Sequence, residues 1–398
     1  MSMINPVPLL IVGGGAAGLF AGCRAGERGL GALILERKHK PGRKILMCGN
    51  GRCNLTKDIS ATQMLRDMGE PMASFLAPAL EAWPPSAVQN WFQQHHVPLK
   101  KMTDRRVFPS SEQASDVVHA LTDALRDTGT ALGLNAPVEA VERAETGFHV
   151  VTAHFSVLAR RVLITTGGVS YPKTGSVGDG QKFAKALGHS IKPYRPGLIG
   201  FVARHPWIDA HGGVTFEHAT FRVFHNGQTL YEGHGQIDCE TWGVGGAAAY
   251  NASRCVARGN LRDFEIEWTV GRDTVRVRNP ETRPLKEAIV TVGGVPLNEI
   301  DPATLESRNC PGLYFAGEVM DIDGPTGGYN LTAAFATAAL AVASVARRDG
   351  SAENAIRKPD GRPPTTRRPP RSADWNPNLR SPEQTPLQRQ REERRTEG

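Results

Sequence analysis

Residues 7–36 read VPLLIVGGGAAGLFAGCRAGERGLGALILE, and this stretch decides the fold. An apolar run at Val7–Val12 leads into three consecutive glycines. A helical pattern then covers about Ala16–Arg28, and a second apolar run follows at Ala32–Glu36. The pattern predicts a strand, a tight turn, a helix and a second strand, which is how dinucleotide-binding α/β domains begin.

Gly13, Gly15 and Gly18 form the motif G-x-G-x-x-G inside that unit. The first glycine permits the turn, the second lets a pyrophosphate approach the helix N-terminus, and the third lets helix and strand pack closely. Glu36 ends the second strand, where a carboxylate accepts hydrogen bonds from an adenosine ribose. Its charge would repel a 2′-phosphate, so the ligand is predicted to be FAD or NAD and not NADP.

The C-terminal part of the chain favours FAD. A short strand at Leu313–Ala316 precedes Gly317–Glu318, and a turn containing Gly327–Gly328 leads into a helix. In FAD proteins such a strand meets the ribityl chain, and the following helix points its N-terminus at the flavin. The positive end of the helix dipole there stabilises negative charge on the reduced ring.

Three stretches resemble the motifs of a bacterial NAD(P)/FAD-dependent oxidoreductase family. They are GRKILMCGNGRCNLT (Gly42–Thr56), ITTGGVSYPKTGSVGDG (Ile164–Gly180) and PGLYFAGEVMDIDGPTGGYNL (Pro311–Leu331). The family includes aminoacetone oxidase-like proteins and flavoproteins of bile-acid metabolism, and the similarity runs from about residue 7 to 345. It implies an oxidoreductase with FAD extended across the first of two lobes. The six scattered cysteines and the lack of a visible secretory signal predict a cytoplasmic location. The glycine motif and the resemblance together predict FAD contacts at Gly13, Gly15, Ala16, Ala17, Gly18, Glu36, Arg37, Arg43, Lys44, Gly51, Arg52, Cys53, Asn54, Val138, Thr166, Gly167, Gly168, Gly317, Glu318, Gly328, Tyr329, Asn330 and Leu331.

The middle of the chain has a different character. From residue 198 to 285 the pattern alternates as in β-strands, with a hairpin signal at Asn226–Gly227. Within it, Gly235–Arg254 departs from the pattern expected of the family, which leaves the substrate open. The predicted fold class is α/β, a two-domain glutathione-reductase-like FAD-binding (Rossmann-type) fold with a β-rich inserted substrate domain. The predicted boundaries are 1–197 and 286–348 for the FAD-binding domain, 198–285 for the insert, and 349–398 for a disordered basic Pro/Arg-rich tail.

Cys48 and Cys53, separated by four residues, raise a second hypothesis. Flavin disulfide oxidoreductases carry such a pair at the flavin, so this alternative function stays open. Three observations weigh against it. No second G-x-G-x-x-G follows a convincing strand, no histidine occurs after His234, and the family motif retains only the second cysteine. Tyr171, Lys173 and Cys53 are weak candidates for a catalytic role.

Charge and composition limit the remaining possibilities. The net charge is +7, and residues 351–398 carry eleven Lys or Arg against seven Asp or Glu, with eight prolines. Such a tail cannot offset its ordering entropy by burial, although it allows a third hypothesis of an FAD-containing RNA-binding or scaffold protein. The apolar stretch Leu331–Ala346 is short for a membrane span and predicts a buried helix, and His and Cys spacings predict no metal.

The expected reaction is hydride transfer between flavin N5 and a small organic substrate. Electrons would pass to dioxygen, or they would come from NAD(P)H bound transiently for the reduction of a double bond. The sequence does not distinguish oxidation of the substrate from its reduction, and it does not indicate the oligomeric state.

Overall fold

The computed structural model of the chain describes residues 6–350, so the N-terminal five residues and the predicted tail from residue 351 lie outside the described part. The described strands are β1 (Val7–Val12), β2 (Ala32–Leu35), β3 (Thr56–Lys57), β4 (Leu99–Lys101), β5 (Arg106–Pro109), β6 (Ala131–Gly133), β7 (Val138–Arg143), β8 (Phe148–Thr152), β9 (Ser156–Ile164), β10 (Lys192–Gly197), β11 (Phe201–Val202), β12 (Thr215–His225), β13 (Gln228–Glu240), β14 (Gly243–Gly245), β15 (Phe264–Val270), β16 (Asp273–Arg278), β17 (Glu281–Thr282), β18 (Val290–Gly294) and β19 (Leu313–Phe315). The described helices are α1 (Ala16–Glu27), α2 (Arg43–Met47), α3 (Ala61–Met68), α4 (Met72–Ala82), α5 (Pro85–Gln94), α6 (Ala114–Asp127), α7 (Asp179–Ala186), α8 (Pro206–His211), α9 (Gly246–Gly259) and α10 (Tyr329–Arg348).

The first lobe is built on a sheet with the order β6-β2-β1-β9-β8-β7, and β19 pairs with β9. The pairs among β6, β2, β1, β9 and β19 are parallel, whereas β7, β8 and β9 pair antiparallel. Leu9, Leu10 and Ile11 are fully buried, as expected for a parallel strand covered on both faces. Helices α1 and α10 pack together on this lobe, with the rings of Phe20 and Phe335 5.0 Å apart. The predicted strand–turn–helix–strand unit is present.

The second lobe is an antiparallel sheet with the order β16-β15-β12-β13-β14-β11-β17. Its longest hairpin joins β12 to β13 at the predicted Asn226–Gly227 turn. Aromatic side chains fill its core, where the rings of Phe221 and Trp268 stack 6.1 Å apart. Strands β10 and β18 pair antiparallel just outside this sheet, so the chain enters and leaves the second lobe side by side.

The glycine-rich segment Gly243–Ala249 of the second lobe follows a strand that the sequence pattern does not reveal. Strand β13 ends at Glu240, Gly243–Gly245 form β14, and α9 begins at Gly246. The helix continues to Gly259, and β15, β16 and β17 follow it. The helix is stabilised because small side chains, among them Ala248 and Ala252, are fully buried against the sheet.

Helix α10 is long and apolar enough by length and composition to cross a membrane. Most of it is buried within the protein, since 83% of its most apolar window is covered. This burial agrees with the predicted core helix.

Candidate functional site

A large cleft runs between the two lobes, with a volume of about 1150 Å³. Its walls come from the turn after β1, the loop around α2, the end of β9, the turn before α10, and the facing side of the second lobe. Ligand pockets typically measure ~300–1,000 Å³, so this cleft has room for an extended cofactor and a second molecule.

The glycine turn after β1 forms one end of the cleft. Gly13 has a φ of 108°, and a Cβ there would lie 2.9 Å from the carbonyl oxygen of Thr165. A Cβ at Gly18 would lie only 1.8 Å from the carbonyl oxygen of Gly13, so helix and turn are in direct contact. At Gly15, in contrast, no atom lies within 4 Å of the Cβ position. The N-terminus of α1 therefore opens onto free space in the cleft, where its N–H groups can bind an anion.

Glu36 lies beside this turn at the end of β2 and is buried. Its carboxylate accepts hydrogen bonds from the N–H of Gly14 at 2.7 Å and of Lys38 at 2.8 Å. These bonds fix an acceptor for ribose hydroxyls at the cleft wall.

Arg37, next along the chain, lines the cleft and forms an ion pair. Its guanidinium lies 2.5 Å from the carboxylate of Asp179, in the first turn of α7. Gly178 occupies the N-cap position of that helix, and no side chain caps it.

A polar cluster at the other end of the cleft joins two distant motifs. The ammonium of Lys44 donates to Glu318 at 2.7 Å and to the hydroxyl of Ser170 at 2.7 Å. The second carboxylate oxygen of Glu318 accepts from the backbone N–H of Thr291 at 2.7 Å. Two residues predicted to contact FAD separately, Lys44 and Glu318, are therefore one unit.

The turn before α10 approaches the loop around α2 closely. Gly328 has a φ of 95°, and a Cβ there would lie 2.4 Å from the backbone of Thr56. The hydroxyls of Thr56 and Thr332 are hydrogen-bonded at 2.7 Å. The N-terminus of α10 is thus positioned in the cleft wall, with Asn330 and Leu331 lining it. Its dipole favours negative charge at that end of the cleft.

Cys48 and Cys53 are in contact, but only one of them lines the cleft. Cys48 is half-buried and part of the wall, whereas Cys53 is fully buried behind it. The neighbouring Cys53 thiol holds the pKa of Cys48 below its ordinary value, and the Cys48 thiol donates to the carbonyl oxygen of Asn54 at 3.9 Å. The neighbouring Cys48 and burial raise the pKa of Cys53. No disulfide joins the two sulfurs.

The second lobe contributes side chains that the sequence did not single out. Trp242, Tyr250 and Arg283 line the cleft, and the guanidinium of Arg283 lies 4.9 Å from the Trp242 ring centre. The backbone N–H of Gly246 at the start of α9 favours the ionised form of the Tyr250 phenol, although burial raises its pKa overall. Tyr171, a predicted candidate, lines the cleft too and adopts a left-handed φ of 49°. The only sequence signal for Tyr250 is its position in the first turn after GVGG (Gly243–Gly246).

The structure brings most of the predicted residues to one cleft. Those in its wall are Gly13, Gly15, Ala16, Ala17, Glu36, Arg37, Arg43, Lys44, Arg52, Asn54, Val138, Thr166, Gly167, Tyr171, Gly317, Glu318, Gly328, Asn330 and Leu331. Predicted residues outside the wall are Gly18, Gly51, Cys53, Gly168, Lys173 and Tyr329. Gly18 packs against the turn, and Cys53 and Tyr329 are buried.

The hydrogen-bonding groups in the cleft wall and the free space beside them suit FAD. One helix N-terminus with an open Gly15 suits the pyrophosphate, and buried Glu36 suits the ribose. A second helix N-terminus, that of α10, and the cluster of Lys44 and Glu318 lie where the family resemblance places the flavin. Gly15, Glu36, Lys44, Glu318 and the first turn of α10 all line the same cleft.

Comparison with known proteins gives the same cofactor. Residues 7–344 match the family described as HI0933-like protein Rossmann domain. A ribosomal RNA dihydrouridine synthase of Escherichia coli is 29% identical, over 83% of this chain and 95% of that protein. A 3-dehydro-bile acid delta(4,6)-reductase of Clostridium scindens is 27% identical, over 85% of this chain and 98% of that protein.

Solved structures with this fold are more distant. A 3-ketosteroid delta1-dehydrogenase from Sterolibacterium denitrificans superposes with a TM-score of 0.55 at 13% identity, over 86% of this chain and 99% of that one. A 3-ketosteroid-delta4-(5alpha)-dehydrogenase from Rhodococcus jostii superposes with a TM-score of 0.50 at 14% identity, over 85% of this chain and 96% of that one. They establish an α/β FAD-binding Rossmann domain with a β-rich second domain.

Proposed function

Since the chain belongs to the HI0933-like family of FAD-binding Rossmann oxidoreductases, we propose that it reduces a carbon–carbon double bond conjugated to a carbonyl group. FAD is its cofactor and it is an oxidoreductase. The direction of the reaction and the class of substrate are the proposed part.

The observation that carries the proposal is a bond type shared by two relatives of about equal similarity. Dihydrouridine is a uridine with its C5–C6 double bond reduced, next to the C4 carbonyl. A 3-dehydro-bile acid delta(4,6)-reductase acts, by its name, on double bonds conjugated to a 3-carbonyl. The two substrates differ in almost everything else. Because the three chains are similar to one another, we infer that this cleft recognises the same feature, a double bond conjugated to a carbonyl group.

Reduction of such a bond needs a hydride at the carbon β to the carbonyl and a proton at the α carbon. Bound FAD supplies the hydride when reduced. The chain supplies the surroundings. The N-terminus of α10 favours negative charge at the flavin end, and Lys44 and Glu318 tie the loop around α2 to the turn before that helix.

Tyr250 is the proposed proton donor. Tyr250 lines the cleft, and its O–H is the proton that it would donate to a substrate bound there. Burial raises the pKa of Tyr250 above its ordinary value, while the N–H of Gly246 opposes that rise. The phenol is therefore protonated at neutral pH, and the start of α9 stabilises the phenolate left after donation.

Tyr171 faces the same cleft and is close enough that its charge would raise the pKa of Tyr250. Burial and the carboxylate of Glu287 raise the pKa of Tyr171 itself. Only one of two neighbouring phenols can ionise readily. We assign Tyr171 to binding the substrate carbonyl as a hydrogen-bond donor.

The experiment is an anaerobic single turnover. The FAD-loaded protein is photoreduced and mixed with a uridine-containing ribosomal RNA fragment, with a 3-oxo-4,6-diene bile acid, or with the saturated 3-oxo bile acid as a control. Return of the oxidised flavin spectrum with either conjugated compound, and not with the saturated one, supports the proposal. Equal reoxidation by the saturated ketone, or none by any conjugated acceptor while dioxygen reoxidises the flavin, contradicts it.

A further inference from the structure

The contact between Cys48 and Cys53 has no part in the proposed reduction, although it lies in the wall of the same cleft. We propose that Cys48 is a peroxide-reactive thiol and that Cys53 is its resolving partner, so that the two form a reversible disulfide. The proposal is independent of the substrate reduced in the cleft.

Backbone geometry places the two residues within disulfide range. The N–H of Cys53 donates to the carbonyl oxygen of Cys48 at 2.9 Å, which closes the intervening turn. Such a bond sets the two Cα atoms about 5–6 Å apart, inside the usual span of a disulfide. The backbone of the intervening turn is already closed, so the bridge requires no large movement of the chain.

The two thiols have different surroundings, and this difference assigns Cys48 as the attacking thiol and Cys53 as the resolving thiol. Cys48 is half-buried and lines the cleft, where a small oxidant meets it first, whereas Cys53 is fully buried behind it. The positive charge of Lys44 also favours the thiolate form of Cys48. An accessible, electropositive thiol beside a protected one is the usual arrangement of an attacking and a resolving cysteine.

The chemistry balances with one hydroperoxide as oxidant. The Cys48 thiolate attacks hydrogen peroxide, an S–O bond forms, the O–O bond breaks, and the leaving hydroxide takes a proton to become water. The Cys53 sulfur then attacks the sulfenic sulfur of Cys48. The S–S bond forms, the S–O bond breaks, and the hydroxide leaves as a second water with the proton of Cys53. Two thiols lose two electrons and one peroxide gains them.

Cys255 is a matched reference within the same chain. It is half-buried like Cys48, but burial raises the pKa of its thiol. Because reactivity follows the thiolate fraction, N-ethylmaleimide should modify Cys48 at least ~10-fold faster than Cys255 at pH 7.

The test is peptide mapping of the full-length FAD-loaded protein. Trypsin cuts after Lys44, Arg52 and Lys57, so the two cysteines leave in separate peptides, ILMCGNGR and CNLTK. After one equivalent of hydrogen peroxide, then N-ethylmaleimide and digestion, these peptides should appear joined by a bridge that dithiothreitol cleaves. The Cys255 peptide should stay alkylated.

Two variants complete the design. With dimedone present during the same treatment, Cys53→Ala should give Cys48 as the dimedone adduct of its sulfenic acid, because one equivalent of peroxide oxidises the thiol only to that stage and no resolving thiol remains. Cys48→Ser, a small change at a half-buried position, should leave Cys53 reduced. The proposal is overturned if both peptides of the wild-type protein are recovered alkylated, or if dimedone traps the sulfenic acid of Cys48 in the wild-type protein while Cys53 is alkylated.

Discussion

The ammonium of Lys44 lies 2.7 Å from the carboxylate of Glu318, although 274 residues separate them in the chain. The pair joins the loop around α2 to the turn before α10, and each of these segments lines the cleft on one side. Its side chains are 29% and 19% exposed, so the pair is only partly screened by solvent. The position of both segments around FAD depends on it.

Replacing Lys44 by Met is therefore expected to weaken FAD binding. The Glu318 carboxylate would lose its partner near the flavin end, and we expect the FAD dissociation constant to rise ~10-fold or more, about 1.4 kcal/mol. Equilibrium titration of the apoprotein, followed by protein fluorescence, measures the change. The control is Lys101→Met, which removes an ion pair to Asp58 in which Lys101 is 56% exposed. Equal FAD affinity of the Lys44 variant and the wild type would refute this role.

The glycine turn gives a prediction that separates folding from binding. Gly15→Ala adds a methyl group where no protein atom lies within 4 Å, so the protein should fold but fail to retain FAD. Gly18→Ala places the methyl 1.8 Å from a carbonyl oxygen and should destabilise the fold itself, by about 1–3 kcal/mol or more. Urea denaturation of the apoproteins and the flavin content after purification measure the two effects.

Gly212→Ala is the matched control for both variants. Its Cβ position has no neighbour closer than 3.8 Å, and it lies in the second lobe away from the cleft wall. It should retain FAD and wild-type stability. An FAD-loaded Gly15→Ala protein would show that the pyrophosphate does not pass this turn.

Tyr250→Phe is expected to slow turnover without loss of flavin. Removal of a general acid typically costs ~10²–10⁴-fold in rate. Tyr171→Phe, which removes a hydrogen-bond donor to the substrate, should instead raise KM with a smaller loss of kcat. Steady-state kinetics with the acceptor found by single turnover checks both. An unchanged kcat for Tyr250→Phe, with full flavin occupancy, would exclude it as the proton donor.

A buried histidine outside the cleft gives a pH prediction. The ring of His189 lies 2.8 Å from Glu299 through Nδ1 and 2.7 Å from the Ser307 hydroxyl through Nε2. Burial lowers the pKa of His189 below its ordinary 6.5, although Glu299 opposes this. The unfolded chain therefore binds the proton first as pH falls below 6.5. Stability is fully present above that pH and is lost as pH falls towards the lowered pKa.

The measurement is the free energy of unfolding in urea at pH 5, 6 and 7. His189→Gln should reduce its slope against pH in this window, whereas replacement of the exposed His119 by Gln should not. A slope unchanged in the His189 variant would show that other groups cause the dependence.

The sequence predicts individual elements of both lobes well where their signals are local. The strand β1, the helix α1 and the hairpin turn at Asn226–Gly227 follow from periodicity and turn chemistry within about 15 residues. The core position of α10 also follows from its apolar composition.

Contacts between residues far apart in the chain could not be predicted from local sequence patterns. Arg37 and Asp179 are 142 residues apart, and no local sequence pattern around either residue identifies the other as its partner. Tyr250 reaches the cleft only because α9 packs across the second sheet, and that packing depends on small buried residues such as Ala248. The contact of Cys48 with Cys53 was foreseeable from spacing, but which thiol faces the cleft was not.

The most direct test of the account is an anaerobic titration of the purified yellow protein with NADH and NADPH, followed by either a conjugated acceptor or air. We predict that one nucleotide bleaches the flavin and that the acceptor restores its colour at least ~10-fold faster than air does. A protein that is not bleached by either nucleotide, but is bleached by an amine or alcohol and restored by air, would be an oxidase. That result would contradict the proposed reduction of a conjugated double bond.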